Sequence, residues 1–358
     1  MPDPRPTTAI ADRAIFVDFE ALKTDPPHPA LLGVLVGSEG EDLEQLILDA
    51  RLAPARKARP ARTRVTNTAD AVDALANLAR THDLRLVGWS IFDRDLMIVA
   101  RPDLVGEIRE RYLNALEVAR PWRQKLHPSF RIDPEDRFSP KHTLDKYARL
   151  ARYPRAAAFE NARPAAWIRH TIQQLEARDG RYARITPEAK RDWARLLEYN
   201  RHDLLALRHI VRTAARELEL WRAYERTTFC VEDGGRRVCF RAGSRSQKLD
   251  RLLSRREASR WAFITAWNPG SVLLPAAQNA ARGAELRAAV TELGLEAIVG
   301  EGIGEDPSWT PEASLLVFGI SRGRAIELGR QFGQLAIVTG RRGEPSSLIS
   351  TARAHGRA

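Results

Sequence analysis

The segment that most constrains the fold is Ala14–Ala21, which reads A-I-F-V-D-F-E-A. Its first four residues form a short apolar run, which predicts a buried strand. Asp18 and Glu20 follow at the end of this run, and residues i and i+2 of a strand point to the same face. Two carboxylates on one face beside a core are costly unless a cation compensates them. A divalent ion with oxygen ligands is such a cation; a solvated strand end is the alternative.

The composition of the chain favours a polyanionic partner. The 358 residues suffice for two domains, and 44% of them are hydrophobic, which allows a substantial core. The net charge is +11, which attracts nucleic acid, although the excess of Arg over Lys is also typical of GC-rich bacterial genomes. Apolar runs are too short to span a membrane, and the N-terminus carries no signal peptide. We therefore expect a soluble cytoplasmic protein without a membrane partner.

The two cysteines lie in a segment with near mirror symmetry, T-F-C-V-E-D-G-G-R-R-V-C-F-R. A Gly234-Gly235 turn predicts a β-hairpin in which Cys230 faces Cys239. Two cysteines exclude a disulfide scaffold and a cysteine-rich zinc module. In the cytoplasm we expect both thiols to be reduced and to pack as small apolar groups.

The first half of the chain predicts an α/β domain. Three strands at 14–19, 31–36 and 43–48 are expected to form an antiparallel meander, and another strand at 84–89 runs into a helix capped by Ser90. Further helices are expected at 67–80, 103–113, 142–151, 164–178 and 187–215, the last with Thr186 as its cap. Between strand and helix, the basic loop Arg51–Arg64 either guides a phosphate backbone or is a solvated insertion.

The second half predicts a smaller α+β domain. From residue 261 onward the order of elements is β-α-β-β-α-β, which is typical of a ferredoxin-like sandwich. We therefore divide the chain into a flexible leader (1–12), a first domain (13–220), a second domain (222–340) and a flexible tail (341–358).

Further acidic residues follow Asp18 and Glu20 in settings that also favour a metal site. Asp93 and Asp95 lie on the first turns of the helix after Ser90, and Tyr199 and Asp203 share one face of the helix at 187–215. Taken alone, the first pair would complement a helix dipole and the second would be an ordinary surface pair. In this order, with about 70 and then about 110 residues between them, the three motifs together favour a metal site more strongly than any one of them does.

These motifs resemble those of the DEDD superfamily of 3′–5′ exonucleases, which have a ribonuclease-H-like fold. Tyr199-x-x-x-Asp203 resembles the DEDDy branch, and Y-N-R-H-D is similar to the YprB-type ribonuclease-H-like group. The resemblance covers roughly residues 12–220. It implies a ribonuclease-H-like mixed sheet with flanking helices.

The resemblance also implies the roles of the site residues. Asp18 and Glu20 match the first motif, Asp203 the third, and Tyr199 the residue that orients the attacking water. Phe92-Asp93 fits the second motif best, with Ser90 where the family has Asn; Asp95 is the alternative. These acids would hold two Mg²⁺ or Mn²⁺ ions, about 3.5–4 Å apart, that activate water and stabilise charge in phosphodiester hydrolysis. A tyrosine hydroxyl stays protonated near neutral pH, which favours orientation of the water over proton abstraction.

The expected partner is the end of a single-stranded DNA or RNA molecule. Within the basic loop, the expected substrate-binding residues are Arg56, Lys57, Arg59 and Arg62. A rival interpretation is a nuclease fold that binds nucleic-acid ends without cleaving them. A second rival places an enzyme activity in the C-terminal domain.

Residues 224–340 resemble a small bacterial domain family of unknown function, mainly through the motif F-I-T-A-W-N-P. Asn268 lies in a turn at a strand end, and Asn279, Arg282 and Glu285 share a helical face. This cluster either binds a ligand or an RNA end, or forms a network that holds loops in place.

Overall fold

The computed structural model describes residues 8–37, 43–59, 61–130, 142–154, 159, 162–306 and 309–352. The chain divides into two compact units. The N-terminal unit comprises 1–121 and 132–216, and the C-terminal unit comprises 122–131 and 217–358. Among the described residues, every helix is too short or too polar to cross a membrane.

The N-terminal unit contains a six-stranded mixed sheet. Its strands are β1 (Ala14–Leu22), β2 (His28–Val36), β3 (Leu43–Ile47), β4 (Thr63–Val65), β5 (Arg85–Gly88) and β6 (Tyr112–Asn114). The spatial order is β4-β3-β2-β1-β5-β6. β1, β2 and β3 pair antiparallel, which confirms the predicted meander. β5 pairs with β1 in parallel, as do β4 with β3 and β6 with β5.

Within the described residues, eight α-helices belong wholly or partly to this unit. They are α1 (Thr8–Asp12), α2 (Thr68–Thr81), α3 (Ile91–Ala100), α4 (Val105–Arg111), α5 (Leu116–Leu126), α6 (Leu144–Leu150), α7 (Pro164–Glu176) and α8 (Pro187–Arg226). Two predicted caps are confirmed: Ser90 accepts from the Phe92 N–H at 3.2 Å, and Thr186 accepts from the Ala189 N–H at 3.3 Å. Asn67 caps α2 by accepting from the Asp70 N–H at 2.9 Å.

The two faces of β1 pack against different helices. Ile15, Val17 and Phe19 share a core with residues of α2 and α3. The alternate residues Ala14 and Phe16 pack with Leu204, Leu207 and Val211 of α8. Because side chains alternate along a strand, Asp18 and Glu20 continue the face that α8 covers. The apolar pattern of β1 thus decides which helix meets its two acids.

The C-terminal unit is built on a seven-stranded antiparallel sheet. Its strands are β7 (Thr228–Asp233), β8 (Arg236–Arg241), β9 (Arg260–Thr265), β10 (Ala297–Ile303), β11 (Glu312–Phe318), β12 (Ala336–Arg341) and β13 (Ser347–Ser350), and its helices are α9 (Gln247–Arg255), α10 (Ala276–Glu292) and α11 (Arg322–Gln331). The order is β13-β12-β9-β11-β10-β7-β8. The predicted succession β-α-β-β-α-β is therefore present, as β9-α10-β10-β11-α11-β12. Both halves of the chain are α/β structures.

The hairpin register is confirmed, but the expected state of its cysteines is wrong. Phe229 pairs with Phe240, and Cys230 with Cys239. The Cα atoms of the two cysteines are 4.1 Å apart, and their sulfurs form a disulfide bond. Direct pairing across the hairpin brings the sulfurs within bonding distance, whereas the expectation of free thiols rested on compartment alone.

Three segments that were expected to be a flexible leader, a flexible tail and a loop contain regular structure. The leader (1–12) includes helix α1, where Ala11 is buried. The tail (341–358) includes β13, which pairs with β12 because Ile349 reaches the core. The basic loop contains a 3₁₀ helix, Ala50–Ala58, because Leu52 and Ala55 pack in the core and Asp49 caps the start.

We expect Val211→Ala to lower the free energy of unfolding by about 2 kcal/mol, because two buried methyl groups of α8 are lost. Val99→Ala is the matched control: Val99 lies on α3 and is 72% exposed, so its change should stay within about 0.5 kcal/mol. Urea unfolding of both variants measures the difference. Equal midpoints would contradict the packing of α8 on β1.

Candidate metal centre

Three carboxylates of the N-terminal unit converge beside β1. One oxygen each of Asp18, Glu20 and Asp203 lies within 4.8 Å of the others. Glu20 and Asp203 are buried, and Asp18 is half-buried. The pairing of β1 with β2 shifts between Glu20 and Ala21, so the strand is irregular directly after the second acid. The first and third predicted motifs therefore meet in space.

Asp93 lies against the same part of β1. The Phe19 N–H, between the two strand acids, donates to Asp93 Oδ1 at 3.1 Å. Phe19 is three residues beyond Phe16, the last residue of β1 paired with β5, so Asp93 satisfies a donor that β5 has ended too early to meet. Burial raises the pKa of the Asp93 carboxyl to about 7, against the effect of backbone N–H donors including that of Phe19.

Gly88 makes room for Asp93. A Cβ at Gly88 would lie 2.8 Å from Asp93 Oδ2 and would overlap the Tyr112 hydroxyl. That hydroxyl donates to the Ser90 carbonyl, and burial together with the nearby Asp93 carboxyl raises the pKa of Tyr112. The end of β5 and the first turn of α3 are thus fitted around one buried carboxylate.

Asp95 occupies a different environment. Its side chain is 52% exposed and pairs with Arg94 at 2.8 Å. Asp93, in contrast, is 4% exposed. Of the two candidates for the second motif, Asp93 is the one that contacts the strand carrying Asp18 and Glu20.

Asn200 connects α8 to Asp18. Its side-chain N–H₂ group donates to Asp18 Oδ2 at 2.8 Å and to the Asp18 carbonyl at 3.0 Å. Its carbonyl oxygen accepts from Gln45 Nε2 at 3.0 Å, and the same Nε2 group donates to the Leu197 carbonyl at 2.7 Å. Asn200 and Gln45 are both buried. This pair of amides fixes the position of Asp18 relative to the helix that carries Asp203.

Gly33 provides the space for that contact. In the sheet, Gly33 is opposite both Asp18 and Gln45, so the three positions form a row across β1, β2 and β3. A Cβ at Gly33 would overlap Asn200 Oδ1 and would lie 2.6 Å from Leu204 Cδ1. Only glycine lets α8 approach β2 closely enough for Asn200 to reach the row.

Tyr199 lies one helical turn before Asp203, as the spacing predicted, and is half-buried. Its ring is perpendicular to those of Phe159 and Trp167, with centroid distances of 5.7 and 6.0 Å. These aromatic contacts hold the Tyr199 ring in place, one turn of α8 before Asp203.

The basic segment reaches the same helix through one residue. Arg59 Nη1 lies 3.5 Å from Glu198 Oε2, next to Tyr199 in sequence. Arg56 donates to the Thr63 carbonyl at 3.1 Å, which closes the segment on itself, while Lys57 and Arg62 are exposed. Of the four predicted substrate-binding residues, Arg59 is therefore the one that contacts α8 within the described part of the chain.

Three residues that position the carboxylates were missed from sequence: Gln45, Asn200 and Gly33. A signal exists for one of them. Asn200 interrupts the apolar positions Leu196, Leu197 and Leu204 of α8, so a buried polar role follows from helical spacing. Gln45 and Gly33 carry no comparable signal, because their role depends on pairing between strands.

In the C-terminal unit, the predicted polar cluster holds loops together. Asn279 Oδ1 accepts from the Asn268 N–H at 2.9 Å, and its N–H₂ group donates to Asn268 Oδ1 at 2.9 Å. Arg282 donates to the carbonyls of Ala266 and Phe332 at 2.8 and 2.7 Å. Glu285 is exposed. These bonds fit the loop-holding interpretation of the F-I-T-A-W-N-P motif.

Comparison with known proteins gives one finding for this unit. Residues 264–337 match DUF3293, a family described as a protein of unknown function. No curated protein matches the chain. The match agrees with the expected C-terminal domain of unknown function and leaves the N-terminal unit to be judged on its own geometry.

We expect Gly33→Ala to lower the free energy of unfolding by about 1–3 kcal/mol, because the new methyl group overlaps Asn200 and Leu204. Gly106→Ala is the matched control: Gly106 lies in α4, where an added methyl group would meet open space beyond the helix backbone, so that variant should be neutral or slightly more stable. Urea unfolding of the two variants measures the difference in their free energies of unfolding. A neutral Gly33→Ala would mean that α8 does not approach the row.

Proposed function

We propose that the N-terminal unit is a metal-dependent 3′–5′ exonuclease of the DEDDy type, which hydrolyses phosphodiester bonds of single-stranded DNA or RNA. The observation that carries the proposal is the convergence of Asp18, Glu20 and Asp203 within 4.8 Å. These residues are separated by about 180 positions in sequence, yet they match the first and third motifs of one nuclease superfamily.

The donor set fits a hard divalent cation. Three carboxylates that approach each other repel, and burial of Glu20 and Asp203 adds a desolvation cost. Carboxylate oxygens are the ligands that Mg²⁺ and Mn²⁺ prefer. Asp18, Glu20 and Asp203 would hold such an ion, and Asp93 would complete the four acids needed for two. When bound, these ions supply charge stabilisation and an acidified water.

The remaining residues then have separate roles. The buried amides of Asn200 and Gln45 hold Asp18 in one orientation. Asp93 is held by the Phe19 N–H, between the two strand acids. Tyr199 stands one turn from Asp203, where its hydroxyl would orient the attacking water. Arg59, with its neighbours on the basic segment, would bind the phosphate backbone.

The order of strands supports the ribonuclease-H-like assignment. An antiparallel β1-β2-β3 meander is followed by β5 and β6, which lie parallel to β1 on its other side. The acids occupy the central strand β1 and helix α8 that packs on it. In the rival interpretation, the same site holds a nucleic-acid end without cleaving it; the full set of four acids and the tyrosine favours turnover.

The proposal is tested by incubating the full chain with 5′-labelled single-stranded DNA and RNA, in Mn²⁺, in Mg²⁺ and in EDTA. We expect ladders that shorten from the 3′ end with metal and none in EDTA. Asp18→Asn and Asp203→Asn should each reduce the rate by at least about 100-fold, since each removes a charged ligand oxygen. Tight binding without cleavage by the wild type would favour the end-binding module instead.

The second motif is tested by a matched pair of variants. Asp93→Asn should reduce the rate by at least about 100-fold, because Asp93 is the buried carboxylate beside β1. Asp95→Asn should retain the wild-type rate within about twofold, because Asp95 is exposed and paired with Arg94. The reverse result would transfer the role to Asp95.

Asn200→Ala should weaken Mn²⁺ binding by roughly 10- to 100-fold, because Asp18 loses the two donors that orient it. Isothermal titration with Mn²⁺ measures the affinity without any nuclease substrate. Asn77→Ala is the control: Asn77 is exposed on α2 and contacts Arg80, so Mn²⁺ affinity should be unchanged. Equal affinities in both variants would remove Asn200 from the site.

A further inference from the structure

The C-terminal unit encloses a cavity of about 330 Å³ that the proposed nuclease does not use. It lies on the face of the sheet that carries Phe229 and Phe263, beneath the last turns of α8, and all its lining residues belong to the C-terminal unit. A volume of this size is at the lower end of those that bind small organic molecules.

The cavity exists because neighbouring positions of the sheet carry small side chains. Glu312 is opposite Gly302, and Ser314 is opposite both Gly300 and Thr265. On β11, Glu312 and Ser314 point to the same side as Leu316, which packs in the core on this face. Here the apolar core gives way to Gly302, Ser314 and Thr265, and space remains above the sheet.

The hydroxyl groups on this floor are already hydrogen-bonded within the protein. Thr265 donates to the Ala313 carbonyl at 2.7 Å, and Ser314 donates to the Glu312 carbonyl at 3.1 Å. On the rim, the hydroxyls of Tyr224 and Ser271 are 2.6 Å apart. The carboxylate of Glu312 is therefore the group that most strongly distinguishes one ligand charge from another.

Glu312 lines the cavity and has one neutral partner. Asn268 Nδ2 donates to Glu312 Oε1 at 2.7 Å, and among the described residues no Lys, Arg or His pairs with this carboxylate. Burial raises the pKa of Glu312, and the Asn268 hydrogen bond opposes that rise only partly. A partly buried carboxylate with a neutral partner gains stability when a ligand supplies the positive charge.

The lining has the opposite sign to the chain as a whole. The net charge of the protein is +11, yet the described lining carries three carboxylates, Glu305, Asp306 and Glu312, and a single guanidinium, Arg226. Arg226 pairs with Glu305 at 3.0 Å, so its charge is already compensated. A phosphate or carboxylate ligand would meet net repulsion here, and a cation net attraction.

The walls supply the apolar part of a recognition site. Phe229 and Phe263 are buried at the base, and Trp309 is 38% exposed at the rim. Aromatic faces attract both apolar groups and cations. We propose that this cavity binds a small organic cation, with an ammonium or guanidinium group at Glu312 and an apolar body against the aromatic walls.

Three matched probes that share an indole ring test the proposal by isothermal titration into the full chain: tryptamine (cation), tryptophol (neutral) and indole-3-propionate (anion). We expect tryptamine to bind at least about tenfold more tightly than tryptophol, and the anion more weakly than both. Phenethylamine and agmatine extend the series to a smaller ring and to a guanidinium group. These titrations need no metal or nucleic acid, so their outcome is independent of nuclease activity.

Variants assign the effect to named residues. Glu312→Gln keeps an acceptor for Asn268 but removes the charge, so the ratio of tryptamine to tryptophol affinity should fall to about one. Trp309→Ala should weaken the binding of both ligands, because it removes an aromatic wall, while tryptamine still binds more tightly than tryptophol because Glu312 remains. Glu301→Gln is the control, since Glu301 pairs with Arg237 outside the lining and its loss should leave the ratio unchanged.

Several results would overturn the proposal. These are equal affinity of tryptamine and tryptophol, preferred binding of indole-3-propionate, or a cation preference that survives in Glu312→Gln. Failure of tryptamine, phenethylamine and agmatine alike to bind at up to about 10 mM would overturn it as well. Far-UV circular dichroism tests whether Glu312→Gln is folded. If it is not, the titrations of Trp309→Ala serve as the second test, and unchanged affinities in that variant would overturn the proposal.

Discussion

The N-terminal unit depends on one close approach, that of helix α8 to strands β1 and β2. Leu204 and Val211 bury against Phe16, and this apolar contact places Asn200 above Gly33 and Asp203 beside Glu20. Because the backbone of α8 is internally hydrogen-bonded, the helix cannot shift without moving both the Asp203 carboxylate and the Asn200 amide. The geometry of the acids is therefore a consequence of hydrophobic packing on the same face.

Burying the carboxylates of the N-terminal unit close together carries an electrostatic cost. Asp93 has its pKa raised by burial, and Glu20 and Asp203 are buried beside Asp18. Asn200 donates to the Asp18 carboxylate, and the Phe19 N–H donates to the Asp93 carboxylate. Gln45 in turn donates to Asn200, so the carboxylate oxygens are bonded without any added charge. Several buried carboxylates held by hydrogen bonds at one place are suited to a bound cation, which is the physical basis of the proposed nuclease.

The C-terminal unit separates two kinds of polar residue. Asn279 and Arg282 hold loops in place, since their side chains form hydrogen bonds to backbone groups and to Asn268. The residues that remain directed at open space are a carboxylate and aromatic rings above a floor of small side chains. The most recognisable motif of this unit thus explains its stability, and the capacity to bind a ligand lies in residues such as Glu312 and Trp309.

Local sequence determined strands β1, β2, β3 and β5, the caps Ser90 and Thr186, and the hairpin register, because these depend on residues close together in the chain. The alternation of β1 was sufficient to place Asp18 and Glu20 on one face, and the spacing of Tyr199 and Asp203 to place them on one helix. Only the tertiary structure buried Asp93 against β1 and left Asp95 exposed, joined Cys230 to Cys239, and placed Gly33 and Gln45 in one row with Asp18. Those outcomes depend on how strands pair and how closely a helix packs, which are set by contacts between residues distant in sequence.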